Sequence, residues 1–85
     1  MSETHQTRLK RLYMRSIRRG IKEMDLILGG FAKDGLASLS AQDLDLYEAL
    51  LTENDHDLYA WVNGQMSPPD HYAKLIQRIS RQFEI

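Results

Sequence analysis

Apolar residues recur at helical spacing along almost the whole chain, and this periodicity constrains the fold more than any other feature. In the last third, five residues follow an i, i+3, i+4, i+7, i+11 pattern that places them on one helix face: Tyr72, Leu75, Ile76, Ile79 and Phe83. Nowhere do several β-branched residues alternate with polar ones over the length of a strand. The pattern therefore predicts an all-α fold.

Glycine residues set the expected boundary between the first two helices and the expected end of the second. One apolar stripe runs from Leu9 to Ile17 and the next from Ile21 to Phe31, and Gly20 between them predicts a tight bend. Gly29 and Gly30 each weaken the middle of the second helix by about 1 kcal/mol relative to alanine. We expect them either to end that helix early or to admit a close neighbour.

Capping residues set the later helix boundaries. Ser40 is a typical N-cap for the third helix. Asn54 or Asp55 restarts the chain into a short fourth helix over residues 57–62, and Gly64 helps to close it. With a fifth helix on the final apolar stripe, the sequence predicts a small bundle of about five helices.

The length of 85 residues suits a single domain, so we predict one helical domain over residues 1–85, with residues 1–6 as a frayed tail. No apolar run approaches the roughly 20 residues of a membrane span, and we expect no membrane insertion. The chain has no cysteine and no convincing presequence. We therefore expect a cytoplasmic protein, and we expect it to be a monomer.

Charge is segregated along the chain, although the formal net charge is only -1. Residues 8–22 contain seven basic residues and no acidic one, whereas residues 23–70 contain ten acidic residues and one basic residue. One interpretation is internal complementarity, in which a basic first helix lies against acidic neighbours. The other interpretations are a basic surface for nucleic acid or for an acidic partner protein.

The residue types that support catalysis are not arranged for it. The three histidines, His5, His56 and His71, lack a metal-ligand spacing, and no serine lies in a G-x-S-x-G context. The chain also lacks a phosphate-binding loop and a dinucleotide fingerprint. We identify no catalytic residue and no metal site, and we expect neither enzyme activity nor a tightly bound cofactor.

One segment combines charge with the expected bend. Two guanidinium groups, a glycine and two carboxylates lie within eight residues, namely Arg18, Arg19, Gly20, Glu23 and Asp25. In a continuous helix Arg19 and Glu23 would form a weak surface pair. A bend at Gly20 would instead splay their charges around a small exposed hinge. The residues alone leave both interpretations open, an ordinary helix junction or a recognition corner.

The same segment resembles the R-G-x-x-E signature of the SdhE family, which consists of small succinate dehydrogenase assembly factors, also called flavinylation factors. Two further blocks agree in order and spacing. Residues 39–43 resemble the family's L-S-x-x-[DE] block, and residues 50–61 resemble its L-L-x-x-x-D-x-D-L-x-x-W block. The resemblance covers roughly residues 8–80.

The resemblance implies a non-enzymatic protein that binds the flavoprotein subunit of succinate dehydrogenase, and in some lineages that of fumarate reductase. It implies that the factor promotes covalent attachment of FAD to that partner, and stabilising a competent conformation of the partner is a physical account of this role. Because the sequence shows no dinucleotide fingerprint, we assign the FAD to the partner. Arg19, Gly20 and Glu23 match the signature and become the partner-binding site, with Arg18 and Asp25 as flanks. The alternatives are a nucleic-acid-binding protein that uses the basic first helix and an antitoxin-like adaptor.

Overall fold

The computed structural model describes residues 3–82, and these form five α-helices. The helices are α1 (His5–Ser16), α2 (Lys22–Gly35), α3 (Ala41–Leu50), α4 (Asp55–Val62) and α5 (Ala73–Gln82). Short 3-10 turns precede α3 and α5, at Leu36–Ser38 and Asp70–Tyr72. Since no strand occurs between residues 3 and 82, the predicted all-α bundle of about five helices is confirmed.

Side-chain caps fix where α1 and α3 begin. The Thr4 hydroxyl accepts a hydrogen bond from the Thr7 N–H, so α1 begins at His5, inside the segment predicted to be frayed. Met1 and Ser2 lie outside the described residues. Ser40 accepts from the Asp43 N–H, which confirms the predicted cap of α3.

The fourth helix is longer than the sequence indicated. It begins at Asp55 rather than at residue 57, because the Asn54 carboxamide accepts a hydrogen bond from the N–H of His56. Its predicted end is confirmed, since Gly64 has a φ of 83°, in the left-handed region that glycine adopts without strain.

The second helix does not end at its glycine pair but continues through Gly29 and Gly30 to Gly35. A Cβ atom on Gly29 would lie only 2.9 Å from Cγ2 of Ile17, the residue that follows α1. Of the two expected roles for these glycines, the structure therefore supports close approach of a neighbour. This contact sets how tightly the end of α1 packs on the middle of α2.

All five helices contribute to the core, which includes Met24, Leu28 and Trp61, each at most 9% exposed. Tyr47 is fully buried, and its hydroxyl lies 2.6 Å from the buried Ser16 hydroxyl. Burial raises the pKa of Tyr47 to about 12, because the phenolate would be poorly solvated there. The predicted stripe of α5 is buried from Leu75 to Ile79, and Phe83 lies outside the described residues.

The basic first helix lies against acidic residues of α3. Arg8 is 2.6 Å from Asp45, and Arg11 is 2.8 Å from Glu48. The hydrogen bond from Arg11 lowers the pKa of Glu48. These contacts confirm internal complementarity as one use of the segregated charge. No helix between residues 3 and 82 combines the length and the apolar character that crossing a bilayer requires.

Candidate partner-binding site

Residues 17–21 connect α1 to α2, and we call this connection the corner. Its central side chain, Arg19, turns inward to the N-terminus of α4 instead of outward to solvent. Its Nε and Nη2 atoms lie 2.8 Å and 2.7 Å from Oδ1 of Asp55. Only 10% of the Arg19 side chain and 14% of the Asp55 side chain remain exposed. Charge-assisted hydrogen bonds of this kind are stronger than neutral ones, so the pair anchors the corner to α4.

Two carbonyl oxygens complete the surroundings of the guanidinium. Arg19 Nη1 donates to the Leu51 carbonyl at 2.8 Å, and Nη2 donates to the Glu53 carbonyl at 3.2 Å. These carbonyls lie in the turn between α3 and α4. The guanidinium therefore ties the corner to the end of α3 and the start of α4.

The backbone of the corner is also held by carboxylates. The Gly20 N–H donates to Asp55 Oδ2 at 2.5 Å, and the Arg19 N–H donates to Asp25 Oδ1 at 2.5 Å. A Cβ atom on Gly20 would lie 3.0 Å from Asp55 Oδ2, tighter than ordinary van der Waals contact. Glycine is needed here because it lets Asp55 approach the backbone closely.

The five residues singled out in the sequence have different positions at the corner. Arg19, Gly20 and Asp25 meet around the bend, whereas Arg18 and Glu23 lie on the exposed surface beside it. Arg19 and Glu23 do not share a helix, because α2 begins only at Lys22. The helical surface pair is thus absent, and the bent alternative is the one that forms.

Asp55 is the residue that sequence reasoning missed as part of this site. The sequence indicates Asp55 only as a possible helix start and as one position of the 50–61 block. That block was the available signal, because it contains three acidic residues without an assigned role, Glu53, Asp55 and Asp57. Local spacing could not show which of them reaches a residue 36 positions earlier.

Exposed apolar side chains lie about one helical turn beyond the corner on α2 and on α4. Leu26 is 62% exposed, three residues after Glu23 on α2. Tyr59 is 37% exposed, four residues after Asp55 on α4. A fixed bend with charged and apolar groups around it is suited to contact with another protein. Between residues 3 and 82, no group of three or more His, Asp or Glu side chains could hold a metal ion.

Comparisons with known proteins agree with the resemblance. The Sdh5 family model, described as flavinator of succinate dehydrogenase, matches residues 10–83. A protein of Schizosaccharomyces japonicus named succinate dehydrogenase assembly factor 2, mitochondrial, is 41% identical over 82 residues, which are 96% of this chain and 56% of that protein. The protein of the same name from Meyerozyma guilliermondii is 47% identical over 82% of this chain and 54% of its own length. The one from Saccharomyces cerevisiae is 42% identical over 87% of this chain and 49% of its own length. The chain thus spans about half the length of these curated relatives.

The expectation of a cytoplasmic location is wrong, because each of these relatives is named as a mitochondrial protein. The family model covers the corner, α2 and the 50–61 block, which are the parts that carry the resemblance. With most of the chain matched by this model and relatives above 40% identity, the chain belongs to the Sdh5 family, the flavinators of succinate dehydrogenase.

Proposed function

We propose that this chain is an assembly factor that binds the flavoprotein subunit of succinate dehydrogenase and promotes covalent attachment of FAD to it. The family description and the names of the relatives support this role. The arrangement of the corner supports particular residues as the binding site. Gly20, Arg18 and Glu23 are exposed around a bend that Arg19 and Asp55 hold in place.

In this proposal the factor acts by binding and supplies no reacting group. A bend that is already fixed loses little conformational entropy when a partner docks on it. By binding one conformation of the flavoprotein more tightly, the factor raises the population of that conformation. If the flavin and its acceptor residue are aligned in it, orientation can lower the barrier by as much as about 7–11 kcal/mol. The FAD remains with the flavoprotein throughout, and the factor is a monomer.

Substitution at the exposed glycine tests the proposal. Gly20→Arg adds a long side chain where a Cβ atom alone would already lie 3.0 Å from Asp55 Oδ2. We expect this variant to remain helical by circular dichroism and to lose stimulation of flavin attachment. The readout is the covalent flavin fluorescence of the flavoprotein subunit after denaturing electrophoresis, with and without the factor.

A matched pair of substitutions on α2 separates the site from general charge effects. Glu23→Ala removes an exposed carboxylate beside the corner, and Asp34→Ala removes one near the far end of the same helix. We expect only Glu23→Ala to reduce the rate of flavin attachment.

A folded Gly20→Arg variant that supports the normal rate would show that the corner is not the binding site. The flavoprotein of fumarate reductase is the second partner for the same assay.

A further inference from the structure

A groove at the end of α1 collects basic side chains next to the corner. Its volume is about 490 Å³, and its lining consists of Arg11, Met14, Arg15, Arg18 and Arg19. We call it the arginine groove. It is continuous with the proposed partner-binding site, because Arg18 and Arg19 belong to both.

The four guanidinium groups of the groove differ in how far their charge is neutralised. Arg19 is held by Asp55, and Arg11 donates to both Glu3 and Glu48. The nearest carboxylate oxygen to Arg15 lies 4.0 Å away, on Glu48, which Arg11 already occupies.

Arg18 is exposed and forms no ion pair with any residue between positions 3 and 82. The groove therefore presents two guanidinium groups with available donors, Arg15 and Arg18, between two that are fixed in place.

The geometry points to an acidic ligand. A guanidinium presents its donors as a planar fork that matches a carboxylate, and Met14 adds an adaptable apolar surface between the charges. We propose that the arginine groove binds an acidic segment of the flavoprotein partner, with carboxylates of that segment on Arg15 and Arg18. This inference rests on the proposed function, because it names the chemistry of the partner at the same site.

The surroundings of the groove favour an acidic peptide over nucleic acid. Glu3 and Glu48 contact its arginines, and Glu23 lies on the exposed surface of the next helix. A nucleic acid carries a phosphate at every nucleotide and would place some of them against these carboxylates. The carboxylates of a peptide stand on flexible side chains, which can turn toward the available guanidinium groups and away from Glu3 and Glu48.

The test uses hexaglutamate as the probe and the isotope-labelled chain in solution. We expect titration at low salt to shift the backbone amide signals of residues 11–19 and to do so less at high salt. The variant Arg15→Gln/Arg18→Gln should bind hexaglutamate about tenfold more weakly, since it loses two exposed charge contacts. The control Lys74→Gln/Arg81→Gln removes the same charge from α5 and should change the affinity less than about twofold.

The outcomes separate this inference from the proposed function. Equal weakening in both double variants, or absence of hexaglutamate binding, would overturn the groove assignment. Tighter binding of a short DNA duplex at the same residues would also overturn it, in favour of nucleic acid. Flavin attachment is measured separately with the unmodified chain. If that chain stimulates attachment and Arg15→Gln/Arg18→Gln does so equally, the groove proposal fails while the proposed function stands.

Discussion

Replacing Asp55 with asparagine tests whether one carboxylate holds the corner together. Asp55 accepts hydrogen bonds from the Arg19 side chain and from the Gly20 N–H, and asparagine is nearly the same size. Asp55→Asn removes the charge but keeps one oxygen acceptor. The expected effect is thus the loss of an ion pair without the creation of a cavity.

The magnitude follows from the burial of the pair. The Arg19 side chain is only 10% exposed, so water cannot fully solvate its charge once Asp55 is neutral. Removing one partner of a buried ion pair costs about 3–5 kcal/mol. Arg19 keeps its hydrogen bonds to the Leu51 and Glu53 carbonyls, which lowers our expectation to about 2–3 kcal/mol. For a domain of this size, such a loss lowers the Tm by about 10–20 °C.

The assay is urea unfolding followed by the fluorescence of Trp61, the only tryptophan and a core residue. The matched control is Asp57→Asn, because Asp57 is exposed and lies in the same first turn of α4. Both variants lose one negative charge near the positive end of that helix, an effect of about 0.3–1 kcal/mol. If the two free energies of unfolding agree within about 0.5 kcal/mol, the Arg19–Asp55 pair does not hold the corner in place.

Three further predictions concern stability at acidic pH, the contact between Gly29 and Ile17, and the exposed side chain of Leu26. The hydrogen bond from Arg11 lowers the pKa of Glu48 in the folded protein. The Glu48 carboxylate therefore stabilises the fold at pH values above its unfolded-state pKa, and this stabilisation is lost as the pH falls through the folded-state pKa. Urea unfolding should therefore show a smaller loss of stability on acidification for Glu48→Gln than for the unmodified chain. Gly29→Ala should lower the unfolding free energy by about 1 kcal/mol, although alanine has a higher helix propensity than glycine. The reason is that the added Cβ would lie 2.9 Å from Ile17 Cγ2. Leu26→Ser should leave the unfolding free energy within about 0.5 kcal/mol, since this side chain is 62% exposed, yet weaken flavoprotein binding about tenfold in a titration.

Each of these predictions has a result that contradicts it. Equal acid sensitivity of Glu48→Gln and the unmodified chain would show that the contact with Arg11 does not stabilise the fold. A stabilised Gly29→Ala variant would mean that Ile17 moves aside at little cost. Unchanged flavoprotein binding by Leu26→Ser would place the interface away from that face of α2.

The features that the sequence predicted well depend on nearby residues. Helix periodicity, the Ser40 cap and the Gly64 terminus involve atoms within a few positions of one another, and each has a recognisable pattern. The sequence predicts the fourth helix from residue 57, whereas the structure starts it at Asp55. Asn54 supplies the cap, which leaves Asp55 free to contact the corner.

The features that were missed depend on residues far apart in the chain. The sequence showed that Arg19, Gly20 and Asp25 are close, but it did not show that Asp55 binds two of them. It left the bent and helical interpretations of the corner open, because a surface pair and a bend use the same residues. Packing of α4 against the corner decides between them, and that packing has no local signature.

The contact between Arg19 and Asp55 joins residues 36 positions apart, and this separation affects when the corner can exist. During synthesis, the R-G-x-x-E segment is complete after Glu23, but the carboxylate that fixes its bend comes only with Asp55. A truncated or partly folded chain therefore has the signature residues without their arrangement. Presentation of the corner is a property of the finished bundle, so the proposed flavoprotein partner would meet it only on molecules whose fourth helix has already docked.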